Sequence, residues 1–421
     1  MPSGIHRPLH REGHSENSPA FQRRVVRFKN HRVPEGRKKI RFKSWIFCRP
    51  SGGTCLYCRL NPALKRRAIF TLSLRDKCLP AECTLTLFHP EGLPYVFAMK
   101  IFVTGGAGYI GSVCVEELIN AGHDVTVCDN LSEGHRSAVD NRAAFILARL
   151  SDEESITKAL KDTRAEAVIH FAANALVPES MADPGKYFRN NVANGVHLLN
   201  ATVAAGIRKF VFSSTCATYG PPDRVPMTED LPQRPVNPYG ESKLIFEKML
   251  HWYHQIHGLE FVAFRYFNAA GASAQFGEDH RPETHLIPNV LKVPLGQLPH
   301  CDVYGTDYPT PDGTCIRDYI HIVDLASAHI LALTPGRQGF YNLGNGDGYS
   351  VRQVIQTCEK ITGQKIPSVE KPRRPGDPPR LVASAEKAQR ELGWKPKFPK
   401  LEDIVRTAWE WHRTHPQGYK D

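Results

Sequence analysis

Residues 100–111 read KIFVTGGAGYIG, and this stretch decides the fold. Lys100–Thr104 is a short apolar run that predicts a strand, and the glycines after it follow the pattern Gly-x-x-Gly-x-x-Gly. Val113, Leu118 and Ile119 then recur at helical spacing. Glycines permit a tight turn and let the backbone approach a pyrophosphate, and a helix N-terminus supplies free N–H groups and a partial positive charge. The stretch therefore predicts a phosphate-binding strand–turn–helix unit.

A second predicted strand, Asp124–Cys128, ends at an acidic residue. Asp129 lies 18 positions after Gly111, where a carboxylate can accept hydrogen bonds from the ribose hydroxyls of an adenosine. Because a carboxylate at this place repels a 2′-phosphate, NAD is favoured over NADP as the cofactor. The alternative is a turn aspartate in the pair Asp129-Asn130.

Further apolar runs follow at the intervals of an α/β domain. Three of them, Ala167–Ala172, Lys209–Ser213 and Phe261–Tyr266, predict strands, and a helical period such as Asn190–Ala205 follows most of them. Strands of this apolar character suit a parallel sheet that is covered on both faces. We therefore predict an α/β fold with a Rossmann-type doubly wound parallel sheet, whose ligands bind at the carboxyl ends of the strands.

A candidate catalytic pair lies at the start of another predicted helix. Asn237 is a suitable N-cap and Pro238 a suitable first residue, and Tyr239 and Lys243 share one helix face. A free tyrosine titrates near about 10, but a nearby ammonium and the charge of oxidised nicotinamide favour the phenolate. Tyr239 can then accept a proton from a substrate hydroxyl while hydride passes to NAD, with Thr215 hydrogen-bonded to the same oxygen. The alternative is an exposed Tyr–Lys pair.

The chain carries a net charge of +11, but the charge is unevenly distributed. Residues 1–98 hold 19 Lys and Arg against 6 Asp and Glu, a net of +13, whereas residues 99–421 hold 35 against 37, a net of −2. We therefore predict no nucleic-acid and no membrane partner, because nucleic-acid binding by the first 98 residues would rest on net charge alone. The six cysteines of residues 99–421 are isolated, which suits a reducing compartment, and we expect a cytoplasmic protein. No run approaches the roughly 20 apolar residues that span a membrane.

The first 98 residues show no sustained helical or strand period. Cys55 and Cys58 form half of a zinc motif with Cys48 nearby, but a second half at comparable spacing is missing, so we predict no metal site. We expect residues 1–98 to be a disordered basic leader or no part of the native protein. On the second interpretation Met99, directly before the first convincing strand, is the true start, which N-terminal sequencing of the native protein would test.

From Met99 to Asp421 the chain resembles the extended short-chain dehydrogenase/reductase family, and within it the UDP-sugar 4-epimerases. Twelve segments carry the resemblance: VTGGAGYIG (103–111), CDNL (128–131), HFAA (170–173), NNV (190–192), SSTCATYG (213–220), NPYGESK (237–243), RYFNAAG (265–271), YGTDY (304–308), GTCIRDYIH (313–321), YNLG (341–344), RRPGD (373–377) and HPQGY (415–419). The resemblance implies an NAD-binding Rossmann domain at 99–268 and a smaller α/β domain for the UDP-sugar at 269–421, with about 318–335 returning to the Rossmann domain.

The resemblance also implies roles for individual residues. Tyr239 is the base, Lys243 its partner, and Thr215 stands where the family has Ser or Thr. The expected cofactor contacts are Gly105, Gly108, Tyr109, Ile110, Gly111, Asp129, Asn130, Phe171, Ala172, Ala173, Asn191, Lys243 and Phe267. The expected substrate contacts are Thr215, Tyr239, Asn268, Tyr304, Arg317, Arg374 and Asp377. Two guanidiniums can chelate a diphosphate and a carboxylate can accept ribose hydroxyls, which gives these types a physical use.

The implied reaction is reversible epimerisation at C4 of a UDP-hexose, such as UDP-galactose to UDP-glucose, with tightly bound NAD. Dimerisation is also implied, through helices such as 182–205 and 241–257. Four positions depart from the best-known pattern of the family: Arg149-Leu150 near the adenine, Asn174-Ala175 near the nicotinamide, His285 near the nucleotide, and Leu381 beside the sugar. Because Leu381 is intermediate in size, acceptance of UDP-N-acetylglucosamine stays open.

Other functions remain as alternatives. A UDP-glucuronate or UDP-pentose 4-epimerase is the nearest, because the motifs above do not separate it from a UDP-hexose enzyme. A nucleotide-sugar dehydratase is disfavoured, because Cys216-Ala217 stands where dehydratases place an acid. A protein that binds the cofactor without turnover, with the basic leader as an interaction module, is disfavoured by the intact catalytic residues.

Overall fold

The computed structural model describes residues 98–374 and 377–421, together with the backbone of three strands nearer the N-terminus. Those strands, β1 Trp45–Arg49, β2 Leu56–Arg59 and β3 Thr84–Leu87, form an antiparallel sheet in the order β2-β1-β3. The sequence showed no strand period here, since runs of four or five residues are at the lower limit for recognising alternation. The zinc hypothesis for the leader cysteines lies outside the described side chains.

The centre of residues 98–421 is a seven-stranded parallel sheet, in the order β14-β9-β8-β7-β4-β5-β6. Its strands are β4 Lys100–Thr104, β5 Asp124–Asp129, β6 Ala144–Leu147, β7 Ala167–His170, β8 Lys209–Thr215, β9 Glu260–Tyr266 and β14 Gly339–Leu343. The chain runs from β4 outward to β6 and then crosses back to β7, so the strand order reverses between β4 and β7. The doubly wound parallel sheet predicted from the sequence is confirmed.

Helices cover both faces of the sheet, as the alternation within β4 requires. Ile101 and Val103 pack on one face with α1 and α8, and Phe102 packs on the other face with α5 and α6. The helices of this part are α1 Tyr109–Asn120, α2 Glu153–Asp162, α3 Val177–Ala182, α4 Pro184–Tyr187, α5 Asn194–Ala204, α6 Pro238–His257 and α8 Ile322–Ala332, with a π-helical turn at Phe188–Ala193 and 3₁₀ turns at Arg136–Ala138 and Cys216–Thr218.

The remaining elements form a smaller part with a separate core. Its three small sheets pair β10 Asn268–Ala270 with β13 Tyr319–His321, β11 Cys301–Tyr304 with β16 Ser368–Lys371, and β12 Ile316–Arg317 with both β15 Tyr349–Ser350 and β17 Arg380–Leu381. Its helices are α7 Leu286–Leu291, α9 Val351–Thr362 and α11 Leu401–Thr414, whereas α10 Glu386–Leu392 packs on β14 and α8 in the core of the central sheet. Among the described residues, no helix is long and apolar enough to cross a membrane.

Candidate active site

A cleft of about 1970 Å³ opens where the carboxyl ends of the central strands meet the smaller part. Of the residues that the sequence analysis assigned to the cofactor, the substrate or catalysis, every one but Asn191 lines this cleft: Gly105, Gly108, Tyr109, Ile110, Gly111, Asp129, Asn130, Phe171, Ala172, Ala173, Thr215, Tyr239, Lys243, Phe267, Asn268, Tyr304, Arg317, Arg374 and Asp377. These residues are far apart in sequence, and the fold brings them together from the strand ends and α6 on one side and from the smaller part on the other.

The glycines of the turn after β4 serve two different purposes. Gly105 has a φ of +74°, and a Cβ there would lie 2.3 Å from the backbone N of Ala172. A Cβ on Gly111 would lie 2.1 Å from the carbonyl oxygen of Gly105. On Gly108, by contrast, an added Cβ would meet protein no nearer than 3.6 Å, so the packing of the chain does not require glycine there. Because Gly108 also lines the cleft and precedes α1, its lack of a side chain suits the close approach of a phosphate.

Asp129 makes a hydrogen bond to the glycine turn and also lines the cleft. Its Oδ2 accepts from the N–H of Ala107 at 3.0 Å, and its Oδ1 accepts from the N–H of Leu131 at 2.9 Å. Each carboxylate oxygen can accept a second hydrogen bond, so ribose hydroxyls can still be bound. The glycine turn, the helix N-terminus and this carboxylate together fit a dinucleotide.

Lys243 lies in the first turns of α6, which begins after the Asn237 cap. The Asn237 side chain accepts from the N–H of Gly240 at 2.8 Å, and Pro238 follows as the first helical residue. Lys243 is 3% exposed, and its Nζ donates to the carbonyl oxygen of Ser213 at 2.8 Å. Burial lowers the pKa of Lys243 to about 7, because the charged form loses its hydration.

Tyr239 stands one turn before Lys243 at the cleft wall. Burial raises the pKa of its phenol to about 12, and a hydrogen bond with Thr215 offsets part of that rise. Thr215 is the last residue of β8, and its Oγ1 also accepts from the N–H of Ala217 at 3.1 Å. Within the chain, burial therefore keeps the phenol protonated, and the phenolate predicted from sequence depends on a further positive charge, that of the oxidised nicotinamide.

A buried polar network supports the catalytic strand and was missed by the sequence analysis. Glu247 accepts from Ser214 Oγ at 2.6 Å and from Arg265 Nε and Nη2 at 2.9 and 2.7 Å. Arg265 also donates to Tyr219 Oη at 2.8 Å. These contacts fix Ser214, which directly precedes Thr215, against α6. The available signal was the spacing, because Glu247 lies four positions after Lys243 on the same face of the helix.

Asn191 lies behind the cleft rather than in its wall. Its side chain accepts from the N–H of Asn174 at 2.9 Å, donates to the carbonyl oxygen of the same residue at 3.0 Å, and donates to Ser242 Oγ at 3.0 Å. It therefore ties the loop after β7 to helix α6. In this position Asn191 holds Asn174, one of the residues that departs from the family pattern, at the edge of the cleft.

The smaller part contributes the cationic side of the cleft. Arg317, on β12, forms an ion pair with Asp377, and its side chain is 13% exposed. Arg374 is exposed, and its guanidinium lies 4.3 Å from the centre of the Tyr304 ring. Leu381 pairs with Arg317 across the small sheet and packs on the apolar cluster that contains Phe267. Two guanidiniums and a neighbouring carboxylate thus occupy the part of the cleft where a nucleoside diphosphate was expected.

Comparisons with known proteins identify the family of this chain. The model of the NAD dependent epimerase/dehydratase family matches residues 101–344. The chain is 50% identical over 329 residues to the UDP-glucose 4-epimerase of Lacticaseibacillus casei, covering 77% of this chain and 99% of that protein.

Two solved structures are also similar. The UDP-glucose 4-epimerase of Brucella ovis in complex with NAD has a TM-score of 0.72 and 45% identity, with 75% of this chain and 98% of that chain covered. The enzyme from Bifidobacterium longum in complex with NAD+ and UDP has a TM-score of 0.73 and 38% identity, with 76% and 100% covered. The fold, the NAD cofactor and the family inferred from the sequence are confirmed, and the chain belongs to the NAD-dependent epimerase/dehydratase family.

Proposed function

We propose that this chain catalyses the reversible epimerisation of a UDP-hexose at C4, interconverting UDP-galactose and UDP-glucose. One observation carries the proposal: Tyr239, Lys243 and Thr215 line the same cleft as Arg317 and Arg374. A buried base at one side and two guanidiniums at the other suit a sugar that reacts while its diphosphate stays bound. NAD, when bound beside Lys243, would supply both a hydride acceptor and a hydride donor for C4, so the reaction would need no net oxidant.

The residues of the chain handle the proton and the geometry. Tyr239 accepts the proton of the C4 hydroxyl when the carbon is oxidised and returns it when the carbon is reduced. Thr215 holds the same oxygen from the end of β8. Lys243, anchored to the carbonyl oxygen of Ser213, places its ammonium where it can favour the phenolate and bind a ribose hydroxyl of the cofactor.

Retention of the substrate depends on the nucleotide. Arg317 and Arg374 can bind the diphosphate, and Asp377 can accept the hydroxyls of the uridine ribose. Because these groups bind the part of the substrate that does not react, the hexose is free to rotate between the two hydride transfers and to present its other face to the cofactor. Binding energy from the remote nucleotide thus keeps the 4-keto sugar in the cleft.

The alternatives differ in what the cleft must provide. A dehydratase needs an acid beside the catalytic Thr, and burial raises the pKa of the Cys216 thiol there to about 12, which makes it unsuited to that role. For UDP-N-acetylglucosamine the deciding volume lies at Leu381, which borders the cleft, whereas UDP-glucuronate and UDP-pentoses differ from a UDP-hexose at C6. These sugars remain second candidates at the same site.

We further propose that the protein forms homodimers in the cytoplasm. Phe188, Trp252 and Ile256 are large apolar side chains that are 37%, 59% and 68% exposed, and they lie in the two segments expected to dimerise. The six described cysteines are free thiols, which suits a reducing compartment. The division into a domain at 99–268 and one at 269–421, with 318–335 returning, also stays a proposal, supported by the packing of α8 against α1.

A direct assay tests the catalytic proposal. Purified protein is incubated with UDP-galactose and NAD, and the nucleotide sugars are separated and quantified. We expect UDP-glucose to form until equilibrium is reached, while UDP-N-acetylglucosamine, UDP-glucuronate and UDP-xylose in parallel reactions are converted more slowly. Absence of conversion of UDP-galactose by folded protein would contradict the proposal, and faster conversion of another sugar would reassign the substrate. Light scattering of the same sample measures the mass of the assembly.

A further inference from the structure

Four side chains that the mechanism does not use converge on one point in the segment before α7. Glu278, His280, Glu283 and His285 each offer one nitrogen or oxygen atom, and these four atoms all lie within 4.8 Å of one another. All four residues belong to the wall of the cleft. The sequence analysis considered His285 only as a departure near the nucleotide and predicted no metal site.

The distances between these atoms match the edges of a small coordination polyhedron. His280 Nδ1 lies 3.2 Å from Glu278 Oε1 and 3.6 Å from Glu283 Oε2. His285 Nδ1 lies 2.7 Å from Glu278 Oε1 and 3.1 Å from Glu283 Oε1. Zinc bonds of roughly 2.0–2.1 Å in a tetrahedron would place ligand atoms about 3.3 Å apart. The observed distances of 2.7–3.6 Å bracket that edge, so these side chains can surround a single ion once one oxygen of Glu283 turns towards both histidines.

The orientation of two of these atoms provides a second, independent observation. Glu278 is 4% exposed, and its buried Oε1 makes no well-aligned hydrogen bond among the described residues, although His285 Nδ1 lies 2.7 Å away. His280 Nδ1 is likewise buried without a partner in that part of the chain, although Glu278 Oε1 lies only 3.2 Å away. Buried polar atoms are normally hydrogen-bonded, so two close but misaligned atoms need an explanation. A cation between Glu278 Oε1 and His280 Nδ1 that binds a lone pair of each atom would explain this arrangement.

The donor set selects the type of ion. Imidazole nitrogen combined with carboxylate oxygen suits zinc and its neighbours, whereas calcium and magnesium prefer oxygen ligands alone. The two carboxylates would balance the charge of a divalent cation, with both imidazoles neutral. The competing arrangement is a network of protonated histidines: burial lowers the histidine pKa values, but the carboxylates outweigh it and raise that of His280 to about 9 and that of His285 to about 10.

We propose that Glu278, His280, Glu283 and His285 form a structural zinc site that fastens this wall of the cleft. Four protein ligands leave no open position, which is typical of structural rather than catalytic zinc. Glu283 Oε1 also accepts from the N–H groups of Thr284 and His285, each at 2.7 Å, and these contacts fix the orientation of the carboxylate.

The site adjoins the glycine turn. The ring of His280 meets that of Tyr109 edge-on, with centroids 6.1 Å apart, and Tyr109 is the first residue of α1. The hydroxyl of Tyr109 donates to the carbonyl oxygen of Gly271 at 2.7 Å. The ion would thus hold the segment from Glu278 to His285 beside the residues that contact the cofactor, without taking part in the reaction.

Metal analysis of the untagged holoenzyme tests the proposal. We expect about one zinc per chain after dialysis, its removal by a strong chelator, and stoichiometric rebinding measured with a chromophoric competitor. Cobalt bound to the stripped protein should give the visible absorption of a four-coordinate nitrogen–oxygen site. His280→Gln and His285→Gln should each weaken zinc binding by at least about tenfold. The matched control is His300→Gln, which borders the same cleft outside the cluster.

The outcomes separate the two arrangements. Binding by the wild type and the control but not by the two variants supports the site. Failure of the wild type to bind zinc at micromolar concentration overturns it, and the cluster is then a network of protonated histidines. Because the wild-type measurement decides this alone, the proposal stays testable if a variant fails to fold. Equal binding by all four proteins would place the metal elsewhere and would also overturn the proposal.

Discussion

The cationic side chains on the two sides of the cleft differ in their exposure and in the role that we propose for their charge. On the Rossmann side Lys243 is 3% exposed, anchored to a strand carbonyl and shifted in pKa by burial. On the other side Arg374 is exposed and lies over the ring of Tyr304, while Arg317 is paired with Asp377. A group that positions a catalytic phenol and a cofactor ribose needs a fixed location, which burial and the hydrogen bond to Ser213 provide. A group that binds a diphosphate needs only permanent charge, which a guanidinium keeps in any environment.

The difference indicates where substitutions act. Changes on the buried side should alter the rate of the chemical step or the stability of the fold, because those side chains are locked into the sheet and α6. Changes on the guanidinium side should alter substrate affinity and leave the fold intact. The following predictions test that division, beginning with the largest effect.

Tyr239→Phe should remove most of the activity. The variant keeps the ring and its packing but loses the hydroxyl proposed to take the C4 proton, so kcat should fall by about 10²- to 10⁴-fold. Bound NAD, measured by absorbance after denaturation, should stay at the wild-type level. Substantial remaining activity would mean that another residue acts as the base.

Glu247→Gln should destabilise the fold beneath the site. The change leaves Arg265 buried with an uncompensated charge, which costs about 3–5 kcal/mol of the free energy of unfolding. Denaturant titration measures this, with Glu402→Gln on the surface of α11 as the control. A loss below about 1 kcal/mol would show that the network does not support the catalytic strand.

Arg317→Ala should raise KM more than Arg374→Ala does. Charge-assisted hydrogen bonds contribute about 1.5–3 kcal/mol, equivalent to about a 10- to 150-fold change, and the contribution should be greater for the less exposed Arg317. Both variants should unfold at the wild-type denaturant concentration. Initial rates against UDP-galactose concentration measure the effect, and an unchanged KM in both would refute the assignment of the diphosphate.

Lys243→Met should remove a pH dependence of stability. The pKa of Lys243 is about 7 in the folded chain against 10.5 ordinarily, so between these pH values the unfolded chain binds more protons and the free energy of unfolding rises with pH. The contribution of this residue is at most about 1.4 kcal/mol per pH unit. Unfolding at pH 7, 8 and 9 should show that slope in the wild type and in the exposed control Lys158→Met, but not in Lys243→Met. Equal slopes in all three proteins would mean that the lysine is not desolvated.

Leu381→Ala should produce the smallest change. Removing three carbons beside the cleft makes room for an N-acetyl group, so the rate with UDP-N-acetylglucosamine relative to UDP-glucose should rise severalfold. The half-buried position should cost less stability than a fully buried leucine, for which about 2–5 kcal/mol is typical. Competition between the two substrates in one reaction measures the ratio, and an unchanged or lower ratio would contradict the assigned position of the sugar.

Sequence patterns predicted those parts of the site whose residues lie close together in the sequence. The glycine turn, Asp129 at the end of β5, and the Tyr239–Lys243 pair were all inferred from spacing, and the cleft contains them. Contacts between distant segments were not predictable in this way. Arg265 meets Glu247 from another strand, and the two-residue strands at Ile316–Arg317 and Arg380–Leu381 are too short to show a period. The four residues before α7 are close in sequence, but nothing in their spacing reveals that their side chains turn towards one point.

The fate of the hydrogen on C4 distinguishes a transient oxidation at that carbon from any other route to the epimer. UDP-galactose carrying deuterium at C4 is incubated with the holoenzyme in ordinary water, and the UDP-glucose formed is analysed by mass spectrometry and NMR. The account predicts that the deuterium remains at C4 of the product, because it leaves to the bound cofactor and returns from it. Product without deuterium at C4, or no product at all, would contradict an epimerisation by transient oxidation of C4 with Tyr239 as the base.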